Sequence, residues 1–378
     1  MDGDVPKGSP GLFCPPSTAP SVRWSALTRF LSPLYVLLIA GALLGLAAPA
    51  AADTDDWHFL GYFDFAMVYD HPAQGPRIWS FHQHHLNLLT TYDISPTWRV
   101  FGHVEYEHGP QIEEGQGSGE IALEESWIEY RVDASFHARA GKILAPFGLY
   151  NAVEDRTWLF HFTTLPVSVY GKHALVPSLP AQALYAKHAT GLEASLAREV
   201  SPGNFEGHFY VGNGRGEDPS GDDDNSNKGI GWRLALTDRN ERWSLGHSFY
   251  RDRNGVAAQS LQTHFGADLT LAPRGTSTGW VLLGECNFSW IRPADPAAPE
   301  GRYRGGYADL LYKTTGAWTP WVRIELTSES ADRPGDGETI YAAGAAYDAN
   351  DHIRLKASAS YSPVADEALG RLSLSSWF

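Results

Sequence analysis

Sulfur, charge and long apolar runs are all scarce in this chain. Two Cys and two Met occur among 378 residues. Cys14 falls in a removable leader, described below, so Cys286 is left alone and a disulfide framework is excluded. Charged residues are only 19% and hydrophobic ones 43%, which is not the composition of a disordered polar chain. Lys and Arg number 29 against 44 Asp and Glu, a formal charge of -15 that argues against nucleic acid as a partner. Beyond residue 52 no apolar stretch is long enough to cross a bilayer as a helix. GxxxxGK[ST] and GxGxxG are absent, so no cofactor-cradling loop is indicated and no cofactor is expected; the GxSxG spelling occurs once, at Gly275–Gly279, between two alternating segments and not ahead of a helix as a nucleophile elbow requires. A hydrolytic triad can assemble across strands without local spacing, so the motif carries little weight either way.

In abundance are 13 Trp, 17 Tyr, 17 Phe and 38 Gly, a usage that favours many short strands and turns. Residues 1–52 read as a secretory signal peptide. Arg23 and Arg29 precede the apolar run Tyr35–Leu46, and Ala50, Ala51 and Ala52 stand before Asp53. The expected domains are therefore 1–52, a signal peptide, and 53–378, the mature protein.

From Trp57 onward the dominant period is two. Trp98, Val100, Gly102, Val104 and Tyr106 fall on one face of a strand, and Arg99, His103, Glu105 and Glu107 on the other. Sixteen such segments run from 57–69 to 368–378, including 136–144 and 182–198. Connections alternate in length. Short turns at 93–96, 133–135, 237–241 and 348–351 are interleaved with long segments at 109–119, 145–181, 213–228, 291–301 and 330–337. Short turns on one rim and long loops on the other indicate an all-β transmembrane antiparallel barrel of about sixteen strands. The closing segment Leu369–Phe378, alternating and ending in an aromatic, resembles the signal by which outer-membrane barrels are recognised for assembly. The expected location is the bacterial outer membrane.

Arg139-Ala140-Gly141-Lys142-Ile143-Leu144-Ala145-Pro146-Phe147-Gly148-Leu149-Tyr150-Asn151 resembles a recurrent motif of the phosphate-selective (O/P-type) outer-membrane porins. Phe101–Gly109 and Glu124–Arg131 look like that family's preceding strands. The resemblance covers roughly 57–200. It implies sixteen-stranded, usually trimeric barrels with a long third loop folded inward. Phosphate selectivity does not follow, because acids are interleaved with the basic residues.

The expected pore lining is Arg99, His103, Glu105, Glu125, Glu129, Arg131, Arg139 and Lys142. Arg99, Arg139 and Lys142 are expected on the periplasmic half, opposed by Glu105, Glu125 and Glu129. Segment 145–181 is the candidate constriction loop, bringing Asp155, Arg156, His161, Lys172 and His173 into the lumen. His82 and His84 are expected on one strand face, where polar lumen residues are a better account than a metal site. Glu217, Asp218, Asp222, Asp223 and Asp224 make an acidic loop that fails the EF-hand pattern, because position 6 from Asp222 is Asn227 and position 12 is Arg233. No metal site is expected.

These features point to a non-enzymatic channel for passive diffusion of small hydrophilic solutes or ions, anions such as phosphate included. Its expected partners are outer-membrane lipids or lipopolysaccharide, the solute itself and further copies in a homotrimer, without nucleic acid. The alternatives are a non-conducting adhesin or structural barrel and, behind it, an outer-membrane hydrolase.

Overall fold

A chain that crosses lipid as strands needs an apolar outer face and a backbone whose polar groups are all paired. The computed structural model describes residues 56–107, 120–153, 156–173, 182–214, 225, 227–254, 260–272, 278–297, 299–329 and 337–378. Segment 1–52, expected as a signal peptide, Asp155 and the acidic loop residues Glu217, Asp218, Asp222, Asp223 and Asp224 lie outside the described residues. Asp55–Phe378 form one unit.

Among the described residues sixteen strands meet both demands by ring closure. They are β1 (Trp57–His71), β2 (Ile78–Asp93), β3 (Trp98–Glu107), β4 (Glu120–Arg131), β5 (Phe136–Leu144), β6 (His188–Val200), β7 (Gly203–Gly212) and β8 (Gly229–Asp238). The second half comprises β9 (Trp243–Asn254), β10 (Ser260–Leu271), β11 (Gly279–Arg292), β12 (Gly301–Lys313), β13 (Trp318–Glu329), β14 (Gly337–Asn350), β15 (Ile353–Ser362) and β16 (Glu367–Trp377). Each strand pairs antiparallel with its sequence neighbours, and β16 pairs with β1, so no edge is left. At the seam Gly61 and Phe378 exchange both backbone hydrogen bonds (2.8 and 2.9 Å), and the Phe378 ring lies over Gly61.

Alternation separates the two faces as read from the sequence. Phe59, Trp79, Phe81, Leu88, Leu192 and Val322 are exposed on the outer wall, whereas His103, Glu105, Glu129, Asp309 and Arg323 are buried inside. A Trp–Tyr couple recurs across strand pairs at the short-turn rim: Trp57–Tyr92, Trp98–Tyr130, Trp280–Tyr312 and Trp318–Tyr347, with ring centroids 4.5–4.9 Å apart. Amphipathic rings at one level of the wall make an interfacial girdle.

Three expectations change. The segment expected as strand 182–198 begins at His188. Leu184, Tyr185 and Ala186 are instead loop residues buried inside the barrel. The connection from β5 thus reaches Lys187, whose carbonyl accepts bonds from Ala145 N and Asn151 Nδ2. Second, a bulge opposite Asp64 and Phe65 makes His84 the extra residue of β2, so the regular alternation assumed over 82–84 is interrupted there. A second bulge inserts Glu124 opposite His103. Third, Lys142 pairs with Ser126 and Thr190, one residue out of step with the inward Gly141 and Ile143. It stands on the outward face, where its Nζ donates to Leu123 O at 2.5 Å.

Candidate functional site

Described residues of the β5–β6 connection pack inside the barrel, and the Gly-Lys-x-x-x-Pro-Phe-Gly run shows how it enters. Phe147 is fully buried and stacks on Tyr185 at 4.2 Å. Gly148 has φ +64, and a Cβ there would meet the Glu285 carboxylate and the Tyr170 hydroxyl. Only glycine turns the chain at this point without strain. Beyond it come two short 3-10 turns and one helical turn, α1 (Val167–Tyr170).

Side chains of the facing wall hold this loop by its backbone. Arg354 donates to Trp158 O (2.7 Å) and Phe160 O (3.3 Å), and Lys356 to Thr157 O (2.7 Å). Arg371 reaches Thr163 O at 3.3 Å and Arg323 reaches Thr164 O at 3.0 Å. In the opposite sense, Glu325 accepts from Ser168 N (2.9 Å), while Glu285 accepts from Leu149 N (3.3 Å) and Tyr170 OH (2.8 Å). A buried loop must place its orphan amides and carbonyls somewhere, and here wall charges take them. Aromatic packing fills the gaps: Phe162 meets Trp321 edge-on at 5.0 Å, and Tyr150 packs on Phe160 at 5.1 Å.

A different arrangement covers the inward faces of β2–β7 near the short-turn rim. Arg99 grips Asp93 with both ends of its guanidinium fork, each at 2.7 Å. Arg131 bridges Asp93 (3.1 Å) and Glu129 (2.9 Å), and Arg139 joins Glu129 (2.7 Å) to Glu193 (3.6 Å). His208 ends the line at 2.8 Å from Glu193, and His137 lies 3.7 Å from Glu129. Within this belt the Glu129 and Glu193 side chains are 3–4% exposed, whereas those of Arg99, Arg131 and Arg139 are 21–31% exposed. Glu129 and Glu193 thus lie behind the cations, while Asp93, at 23%, is about as exposed as the arginines it binds. A nearly neutral set of residues therefore shows a cationic surface to the lumen.

A polar line climbs from the middle of β2–β4 toward the loop. Glu105 Oε1 is 2.5 Å from His85 Nδ1 and accepts from Asn87 Nδ2 at 3.0 Å. Asn87 Oδ1 lies 2.5 Å from His103 Nε2, and Glu125 Oε2 is 3.7 Å from both His103 Nδ1 and Arg156 Nη2. His161 is half-buried within the loop. Burial first, and the nearby Arg354 charge second, hold its pKa down at about 4.

Of the expected lining residues, Arg99, His103, Glu105, Glu125, Glu129, Arg131 and Arg139 lie on inward faces, and Lys142 does not. Arg156 and His161 are in the inward loop, Asp155 is outside the described residues, and only the backbone is described for Lys172 and His173. Glu129 sits beside Arg139 rather than across the lumen from it, because the register brings the two residues opposite each other on β4 and β5. The expected opposition of basic and acidic walls is thus a lateral pairing. The loop anchors Glu285, Glu325, Arg323, Arg354 and Lys356 were visible only as inward-facing charges.

Sixteen antiparallel strands, closed in sequence order around a charged interior and ringed by aromatics, define an outer-membrane-type β-barrel. No protein-family model matches the chain, and no curated protein matches its sequence. Solved structures match its fold. An anion-selective porin from Comamonas acidovorans superposes with a TM-score of 0.62 at 12% identity, over 85% of this chain and 99% of that one. OmpT, expressed in the outer membrane of Vibrio cholerae, gives 0.60 at 8% identity, over 85% and 97%. Salmonella typhi OmpF in complex with daunomycin gives 0.56 at 12%, over 85% and 97%. The architecture is that of the bacterial porins.

Proposed function

We propose that the protein is a passive channel of the bacterial outer membrane for small hydrophilic solutes, with a preference for anions. The observation that carries this reading is the β2–β7 belt, where the partly exposed guanidinium groups of Arg131 and Arg139 cover the buried Glu129 and Glu193 along one side of the lumen. Ions passing there would meet cations first, and field strength at close range sets selectivity. The inward loop narrows the interior without calling on those cations, because other wall residues hold it. Association into trimers accords with a neighbour solved as a trimer form, OmpT of Vibrio cholerae.

Kinship with the phosphate-selective porins is supported by the Gly141–Gly148 run, which closes a strand and enters an inward loop as the resemblance implies. The belt itself favours anions in general and does not single out phosphate. A non-conducting barrel is the second reading, favoured by the two aromatic clusters that the loop builds against β5–β13. Catalysis finds less support. Ser289 Oγ and His264 Nδ1 lie 2.7 Å apart, but both residues are fully buried and offer no approach to a substrate.

Planar-bilayer recording of the refolded mature protein under a salt gradient tests the proposal. Ohmic steps with an anion-selective reversal potential are expected. Cation-selective steps would refute the anion preference, and folded barrels without steps would favour the non-conducting reading.

A further inference from the structure

The outward face of β9–β12 at the long-loop rim differs from the rest of the wall. Register places Arg251, Thr263, Trp290 and Arg302 in one row. Arg253, Leu261 and Arg292 form the row nearer the rim, and Arg304 sits one row inward, opposite Phe288. Their alternating neighbours Tyr250, Asp252, Ile291 and Tyr303 are buried inside the barrel, so these five guanidinium groups point away from the lumen. All five arginines are exposed. Glu300 answers two of them, at 3.0 Å from Arg292 and 3.8 Å from Arg302. Among the described residues no ion pair joins Arg251, Arg253 or Arg304 to a carboxylate. Such a concentration is unusual in a chain with a formal charge of -15.

The next row inward, which ends at Arg304, is aromatic: Trp232, Phe249, Phe265 and Phe288. The rings of Trp232, Phe249, Phe265 and Trp290, the last from the arginine row, follow one another with centroids 4.1, 5.1 and 5.7 Å apart. The wall of β1–β2 near the same rim carries exposed Trp79 and Phe81, with the single exposed Arg77 just ahead of β2. One quarter of the circumference thus combines fixed positive charge toward the rim with an adjoining aromatic surface.

We propose that this face is a binding site for a lipid bearing several phosphates and several acyl chains, of the saccharolipid kind that fills the outer leaflet. Phosphates sit among the arginines, whose forked donors match phosphate oxygens, and chains lie along the aromatic surface. The proposal rests on the outer-membrane reading above but not on conduction.

The test uses the refolded mature barrel with bisphosphorylated lipid A as probe and fully dephosphorylated lipid A as reference. Lipid retained per barrel is read by native mass spectrometry at two salt concentrations. Wild type should prefer the bisphosphorylated form, less so at high salt. A triple variant, Arg251→Gln, Arg302→Gln and Arg304→Gln, should weaken that preference about a hundredfold, roughly fivefold for each arginine. Equal retention by wild type and variant overturns the proposal. So does a variant that keeps the lipid while a larger assembly falls apart, because the face would then hold a second copy of the chain. If the variant does not fold, wild type decides alone: indifference to the phosphates refutes the site. Conductance, recorded in parallel, should not change in the variant, so a failure of the channel reading is seen separately.

Discussion

Arginine does two different things on the two sides of this barrel. Along β2–β7 the guanidinium groups lean on carboxylates, buried at Glu129 and Glu193 and partly exposed at Asp93, and keep part of their surface toward the lumen. Along β13–β16 Arg323 and Arg354 also hold carboxylates, Asp309 (2.6 Å) and Asp348 (2.5 Å), but their remaining donors are spent on loop carbonyls. The difference lies in what faces them: water on one side, a folded segment with unpaired backbone on the other. Counting basic residues in the lumen therefore overstates what a solute can meet. Position relative to the loop decides whether a cation reads the solute or holds the protein together.

Substitution at Arg323 should give the largest contrast. Asp309 is fully buried, so Arg323→Ala leaves an uncompensated charge and should cost about 3–5 kcal/mol in a urea unfolding titration. Arg99→Ala, at a rim where its partner Asp93 is partly exposed, should cost less than about 1 kcal/mol. Comparable losses at the two sites would erase the distinction between them.

Acid should loosen the loop side first. The docked loop keeps His161 neutral, with its pKa near 4 against 6.5 for a free imidazole. Between those values the released loop binds a proton that the docked loop does not, so docking weakens as pH falls from 6.5 to 4 and is constant above 6.5. The shift corresponds to about 3 kcal/mol at most, and less for a half-buried ring. Amide exchange over 157–165 should rise across that window in the wild type, whereas a His161→Phe variant should show a smaller rise.

Selectivity sharpens the comparison from the other side. Glu129→Gln removes the carboxylate shared by Arg131 and Arg139 and should move the reversal potential toward anions. Glu325→Gln, among the loop anchors, should move it little while increasing current noise. Identical shifts in both variants would mean that the lumen averages its charges and the belt has no special place. The smallest expected effect is Arg99→Gln, a change of a few millivolts, because Arg131 still covers the same stretch of wall.

Much of the barrel could be read directly, because a wall between lipid and water imposes a period of two. The strand at 136–144 is found at those residues, and the last was misplaced by one. The segment 182–198 misled because Leu184-Tyr185-Ala186 looks like a strand start, although its apolar side chains belong to the interior packing of the loop. Bulges left almost no trace. One extra residue at His84 or Glu124 disturbs alternation only locally, amid neighbours of similar polarity. Lys142 is a different kind of miss: it lies three positions from the inward Arg139, and that odd spacing already placed it outside. Lateral pairing of Glu129 with Arg139 needed the register between β4 and β5, which no single strand contains.

The seam between β1 and β16 has a consequence for how such a ring can come into being. Every other pairing joins strands adjacent in the chain, but the Ser375–Asp64 hydrogen bond spans 311 residues. Bringing ends so distant together costs roughly 5 kcal/mol of chain entropy. Nothing repays that cost until the final strand docks, so closure is the natural last step. Until then the molecule is a curved ribbon with two bare margins, each able to recruit a stray strand from another chain. Its fate turns on whether its own last segment arrives first.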